Sequence, residues 1–214
     1  MEKTTLLIIG GSSTALEIRE CAELNSDEYA EILNVVGDNE DCQYSFIQDH
    51  ELEEKLNTTP NCRFIVGFTN VELKEKYESI FASHNFEPIN VIHPTAIISP
   101  SAKLGKGNYV GAYVTISSNA IVGNNNLINL QVTIGHDSVT GNNCAINPAA
   151  RVSGHVKIGD NCLIGANTFI YQGASICHDT QIDAMVYIRE NVKEPSVIFS
   201  KYGSKLLTLK RKRY

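Results

Sequence analysis

Residues 134–146 read Ile134-Gly135-His136-Asp137-Ser138-Val139-Thr140-Gly141-Asn142-Asn143-Cys144-Ala145-Ile146. An aliphatic residue, or in one case a threonine, returns at every sixth position, and the step continues in both directions. The series runs Ile92, Ile98, Leu104, Val110, Ile116, Val122, Ile128, Ile134, Thr140, Ile146, Val152, Ile158, Ile164, Ile170, Ile176, Ile182 and Ile188, without an insertion. Only Thr140 departs from aliphatic chemistry, and it keeps the branched shape. A step of six fits neither the 3.6-residue period of a helix nor the two-residue alternation of a strand. It fits a hexapeptide parallel β-helix, in which each hexad is one flat side of a triangular coil and three hexads complete a turn.

The aliphatic residue is expected to point into the prism. The position four later is small in most hexads, as in Ala96, Ala102, Ala120, Cys144, Ala150, Cys162 and Ala174, and is expected to pack inward near a corner. Asn108 and Asn126 are the exceptions. Corners need residues that tolerate left-handed backbone or close approach. Gly105, Gly111, Gly123, Gly135, Gly141, Gly159 and Gly165 share the slot after the aliphatic residue. Asn124, Asn142 and Asp160 are one coil apart and predict a stacked ladder. Residues one coil apart should lie about 4.8 Å from each other, so neighbours follow from arithmetic.

Before residue 90 the composition is charged and mixed. Thr4 to Ile9 is an apolar run ended by Gly10-Gly11, and Ser12-Ser13-Thr14 opens a helical pattern that runs to Leu24. Glu31 to Val36 predicts a second strand, ended by Gly37-Asp38-Asn39. Arg63 to Val66 predicts a third, ended by Gly67, with a helix over 70–81. This order implies a small parallel α/β unit, half of a Rossmann-like fold. Such units bind ligands at the carboxyl ends of their strands, and a helix start there suits a phosphate. Gly10, Gly11, Ser12, Ser13, Asp38, Asn39 and Gly67 are therefore the candidate nucleotide-binding residues. The expected organisation is an α/β domain over 1–90, a prism over 91–190, and a basic tail over 191–214 packing on the last coils.

The chain has 214 residues and a formal charge of -6, which disfavours nucleic acid as a partner. It has no apolar stretch long enough to cross a bilayer and no charged-then-apolar leader at its start, so a cytoplasmic protein without membrane insertion is expected. The six cysteines lack metal-ligand spacing and read as reduced thiols; no metal is expected.

His136 points outward at a corner, where packing gives no reason for a histidine. Coil arithmetic places Ser118 and Gly154 beside it, and Asn119 and His155 beside Asp137. An imidazole held by a carboxylate is a competent general base, and a glycine beside it exposes an N–H able to meet an oxyanion. His155 is the rival for the role of base. His178-Asp179 occupies the same two slots and reads as a turn pair continuing the Asn124–Asn142–Asp160 ladder, and His93 reads as an entry-turn residue.

The α/β unit, the Ile92-His93-Pro94-Thr95-Ala96 entry, the Ile134-Gly135-His136-Asp137 corner and the Gly154-His155-Val156-Lys157-Ile158-Gly159 coil together resemble the nucleotide-aminosugar N-acetyltransferases. The related sialic acid O-acetyltransferases share these features; both are left-handed β-helix acyltransferases. The resemblance implies a homotrimer binding acetyl-CoA between adjacent prisms, with a nucleotide-linked amino sugar on the α/β unit. It implies His136 as base and Asp137 as its partner. Gly154, His155, Gly173 and Lys205 are the implied oxyanion and acyl-CoA contacts. The expected product is an N-acetylated sugar, such as a 4-amino-4,6-dideoxy sugar for a surface glycan. The alternatives are O-acetylation of a sugar hydroxyl and a non-catalytic ligand-binding prism. Two departures stand out. Ser13-Thr14-Ala15 replaces the family's usual Gly-His-Gly, and Lys201-Tyr202-Gly203-Ser204-Lys205 replaces its Gly-Val-Pro-Ala-Lys tail.

Overall fold

A computed structural model describes residues 3–200. The tail that includes Lys205 lies outside them. The N-terminal unit contains strands β1 (Thr4–Ile9), β2 (Tyr29–Val36), β3 (Phe46–Gln48) and β4 (Cys62–Val66). Its helices are α1 (Ser13–Glu23), α2 (Leu52–Thr58) and α3 (Val71–Ser83). The strands form one parallel sheet in the order β3-β2-β1-β4. Leu6 to Ile9 are buried because the sheet is covered on both faces. One face packs on α1 through Leu6, Ile8, Ala15 and Ile18. The other packs on α2 and α3 through Leu7, Ile9, Leu56 and Phe81.

From Val91 onward, two-residue strands wind into three parallel sheets of seven, six and five strands. Face one runs from Val91–Ile92 to Val197–Ile198, face two from Ile97–Ile98 to Tyr187–Ile188, and face three from Lys103–Leu104 to Ser175–Ile176. The register pairs each residue with the one eighteen positions on, as in Ile134 with Val152. Ile128, Ile146, Ile164 and Ile182 are fully buried along one axis-facing column. Thr140 joins the core at 1 % exposure, and its hydroxyl makes no hydrogen bond.

Three details revise the sequence expectations. The left-handed backbone falls three positions after the aliphatic residue, at Asn119, Asp137, Asn143 and His155, among others. The glycines directly after the aliphatic serve close approach instead: a Cβ on Gly135 would stand 2.5 Å from the Gly154 nitrogen. Asn108 and Asn126 are fully buried because they form an inner ladder. Asn90 Oδ1 accepts from the Asn108 N–H at 2.8 Å, Asn108 Oδ1 from the Asn126 N–H at 2.9 Å, and Asn126 Oδ1 from the Cys144 N–H at 2.7 Å. The prism also continues past residue 190. Val197–Ile198 pairs with Gln181–Ile182 across a spacing of sixteen residues instead of eighteen.

The α/β unit lies on face one, where α1 packs on Val91, Tyr109, Leu127 and Ala145. Lys74 of α3, 1 % exposed, pins the two units by donating from Nζ to the Asn125 carbonyl at 2.8 Å. Burial pulls its pKa down to about 8. Between pH 8 and the ordinary value of 10.5, the unfolded chain keeps a proton that the folded chain has released. Stability therefore gains up to about 1.4 kcal/mol per pH unit from this group as pH rises through that window. The cost of burying the charge is fully present below pH 8. Urea midpoints of wild type and Lys74→Met, compared from pH 7 to 10, should show the balance moving toward wild type as pH rises. A pH-independent difference contradicts this.

Candidate active site

The corner between faces two and three carries the histidine patch. His136 Nδ1 lies 2.8 Å from Asp137 Oδ2. Asp137 Oδ1 accepts from Asn119 Nδ2 at 3.1 Å. The His136 hydrogen bond, seconded by that of Asn119, holds the Asp137 carboxyl below the usual carboxylate range. An ionised carboxylate only accepts, so His136 Nδ1 carries the proton and Nε2 keeps the free lone pair. The ring is half exposed and lies over Gly154, where an added Cβ would come within 2.6 Å of Nε2. Gly154 is therefore the residue that makes room for the imidazole.

At the corner between faces three and one, side chains cap the corner N–H groups. Asn142 Oδ1 accepts from the Asn124 N–H at 2.8 Å, and Asp160 Oδ1 from the Asn142 N–H at 2.6 Å. One coil below His136, Ser101 Oγ accepts from the Asn119 N–H at 3.0 Å, but the Gly154 N–H makes no hydrogen bond among the described residues. Gly173 continues the edge one coil beyond His155 with φ +78°, and a Cβ there would meet nothing within 4 Å. The edge past His155 is open. His155 Nε2 stands 3.9 Å from Asp137 Oδ2.

His178 does not continue the ladder, whose bonds stop at Asp160. It forms a twin of the His136 pair, with Nδ1 2.5 Å from Asp179 Oδ2 and Asn161 Nδ2 3.0 Å from Asp179 Oδ1. Hydrogen bonding therefore does not separate the two corners. The Gly154 platform and the second imidazole do. His93 closes the entry turn, with its Nδ1 accepting from the Thr95 N–H at 3.1 Å.

The α/β unit holds a crevice of about 480 Å³ at the carboxyl ends of β1 and β2, lined by Gly10, Gly11, Ser12 and Gly37 on one side and by Phe68, Lys76 and Tyr77 on the other. The Ser12 side chain makes no capping bond and the first turn of α1 has no acidic residue. The first helical bond is from the Leu16 N–H to the Ser12 carbonyl, so the Ser13 and Thr14 N–H groups are open to an anion. Gly10 adopts φ +121°, and Gly67 lets α1 approach, since a Cβ there would lie 2.7 Å from Ala15.

Asp38 lies apart from the crevice lining. Its carboxylate faces His50, with Oδ1 2.7 Å from Nδ1 and accepting the His50 N–H at 3.1 Å. The Asn39 N–H is taken by Gln48 Oε1 at 2.7 Å. Glu40, Asp49, Lys76 and Tyr77 line the crevice without having been singled out in the sequence. Asp49 accepts from both Lys76, at 2.9 Å, and the Tyr77 hydroxyl, at 2.8 Å. The crevice opens on the α/β unit, which sits on face one, whereas His136 stands on the edge between faces two and three. One chain does not bring them together.

Comparison with known proteins agrees with this architecture. The family models for the bacterial transferase hexapeptide (six repeats) and the hexapeptide repeat of succinyl-transferase match residues 137–172 and 155–190. No curated protein matches significantly. Among solved structures, PerB from Caulobacter crescentus, in complex with CoA and GDP-perosamine, is 25 % identical with a TM-score of 0.83; the match covers 92 % of this chain and 94 % of that one. The acetyltransferase domain of PglB from Neisseria gonorrhoeae is 22 % identical with a TM-score of 0.85, covering 95 % and 100 %. WeeI from Acinetobacter baumannii matches at 17 % identity and a TM-score of 0.69, covering 86 % and 94 %. The repeat and the three-sheet prism define the class: the chain carries the hexapeptide repeat of bacterial transferases over residues 137–190 and has the left-handed β-helix fold. Its match to a perosamine N-acetyltransferase from Caulobacter crescentus, at 25 % identity and a TM-score of 0.81, covers 92 % of this chain and 93 % of that one.

Proposed function

We propose that the protein transfers an acetyl group from acetyl-CoA to the amine of a nucleotide-linked amino sugar, of the 4-amino-4,6-dideoxy type, in the cytoplasm. The observation that carries this reading is the His136–Asp137 pair on an open prism edge beside an unpaired Gly154 N–H. The crevice on the α/β unit supports the nucleotide end, with the α1 N-terminus facing a phosphate. The likeness to PerB, solved with CoA and GDP-perosamine, supports the substrate class.

The neutral sugar amine attacks the thioester carbonyl carbon, and a C–N bond forms. His136 Nε2 takes the amine proton, and Asp137 stabilises the resulting imidazolium. The Gly154 N–H donates to the oxyanion. Collapse breaks the C–S bond, and the thiolate of CoA recovers the proton. His155 and Gly173 line the edge on the acyl-CoA side. The crevice and the His136 edge face different ways, so a homotrimer places the crevice of one subunit near the edge of the next. Exposed Ile97, Phe169 and Tyr187 on face two and Ile121 and Val139 on face three give the free faces apolar contact surface.

The test is thiol release from acetyl-CoA with a panel of nucleotide-linked 4-amino sugars, 2-amino sugars and sialic acid, run alongside light scattering. Release only with the 4-amino sugars, from a trimer, supports the reading. Release with sialic acid alone replaces it with O-acetylation. A fully active monomer removes the shared-site arrangement.

A further inference from the structure

His155 occupies the left-handed turn slot, with φ +59°. Asn119, Asn125, Asn143, Asn161 and Asn167 fill the same slot elsewhere, with φ between +54° and +59°. Asparagine would serve the backbone equally well, so the turn does not require an imidazole. The ring is also half exposed and fills no core space. It stands edge-on to the His136 ring, with centroids 5.0 Å apart and planes at 88°. Asp137 lies between the two. Its Oδ2 is 2.8 Å from His136 Nδ1 and 3.9 Å from His155 Nε2. One ligand atom from each of the three residues falls within 4.8 Å of the others.

We propose that His136, Asp137 and His155 form a binding site for a divalent transition-metal ion of the zinc, nickel or copper type, and that the bound ion silences the transferase. Ligand atoms about 2.0–2.1 Å from a tetrahedral ion lie about 3.3 Å from one another. The separations here bracket that value, and small side-chain rotations reach it. Two imidazoles and one carboxylate suit these ions and not magnesium or calcium, which favour all-oxygen sets. Three protein ligands leave a position for water, because the edge is open. Asn119 Nδ2 on Asp137 Oδ1 orients the carboxylate from behind, as outer hydrogen bonds do in metal sites.

The inhibitory part rests on the function proposed above. Coordination through His136 Nδ1, the nitrogen facing Asp137, requires that nitrogen to give up its proton. The proton moves to Nε2, and the lone pair that would take the amine proton becomes an N–H. No net proton is lost, but the base is gone.

The twin corner at His178 and Asp179 is an internal control, since no second imidazole accompanies it among the described residues. The experiment uses the tag-free, metal-stripped full chain. Zn²⁺ binding is followed by calorimetry, and Co²⁺ binding by its visible absorption. The expected result is one ion per chain, with a tetrahedral Co²⁺ spectrum abolished by Zn²⁺. His155→Asn, which keeps the turn residue used at the other corners, should weaken binding at least about tenfold, with an unchanged melting curve. His178→Asn should bind as wild type does. No binding, unchanged affinity in His155→Asn, or loss in His178→Asn overturns the site. Transferase activity is read separately: Zn²⁺ should inhibit wild type and a chelator should restore it. Metal binding that follows this pattern in a chain with no transferase activity keeps the site and removes the function. Activity without metal binding does the reverse. Full activity in the Zn²⁺-loaded protein overturns the silencing.

Discussion

Replacing His136 with alanine is expected to lower kcat by about 10²–10⁴-fold, the range typical for loss of a positioned general base. KM for both substrates should change little. The ring touches neither unit's core, so the loss should not pass through stability. Its free Nε2 and its Nδ1 bond to Asp137 make it a group poised to take a proton. Asp137→Asn should cost less. The imidazole remains, and what weakens is the hold on its tautomer and the stabilisation of the imidazolium. Steady-state kinetics with each substrate varied checks this. A loss confined to KM would make His136 a binding residue. Loss in His155→Ala with His136→Ala still active would exchange the two roles.

Gly154→Ala is expected to reduce kcat by a comparable factor through a different route. The new methyl would stand 2.6 Å from His136 Nε2 and 2.7 Å from Cε1. The ring is the movable partner, so it should swing off the platform and lose its alignment with Asp137. The backbone of Gly154 is not in the left-handed region, and an alanine is tolerated there conformationally. Melting temperature should therefore stay near wild type while turnover falls, as a thermal melt beside a rate measurement would show. Wild-type turnover in Gly154→Ala would mean that the ring position over Gly154 is not the reactive one.

The prism was legible because its packing repeats. Each inward aliphatic residue meets the one a coil away, so the same demand recurs every six residues. In-register parallel pairing then makes arithmetic a substitute for coordinates, which is why His136, Asp137, Gly154 and His155 came out as neighbours. The arithmetic failed where the coil length changed. Val197–Ile198 pairs after sixteen residues, and no eighteen-residue count finds it. The α/β unit was read only in outline. β3 has three half-buried residues, and α2 buries only Leu52 and Leu56, so neither carries a strong periodic signal.

Side-chain placement was the least legible. Asp38 follows a strand end, as a ribose-binding acid would, yet its carboxylate is engaged by His50, twelve residues further on, in a contact that no periodic pattern records. Lys76 and Tyr77 enter the crevice only once the face of α3 is known. The role of Gly154 as a platform depends on the rotamer of His136, which no sequence period encodes.

Amide formation on a nucleotide-linked amino sugar is tested most directly by the product itself. The protein is incubated with acetyl-CoA and a nucleotide-linked 4-amino-4,6-dideoxy sugar, and the sugar product is analysed by mass spectrometry and proton NMR before and after hydroxylamine treatment. The predicted result is one acetyl group per sugar, on nitrogen, resistant to hydroxylamine, and absent with His136→Ala. An acetyl group on oxygen, removed by hydroxylamine, or no acetylated product from any nucleotide-linked amino sugar, would contradict it.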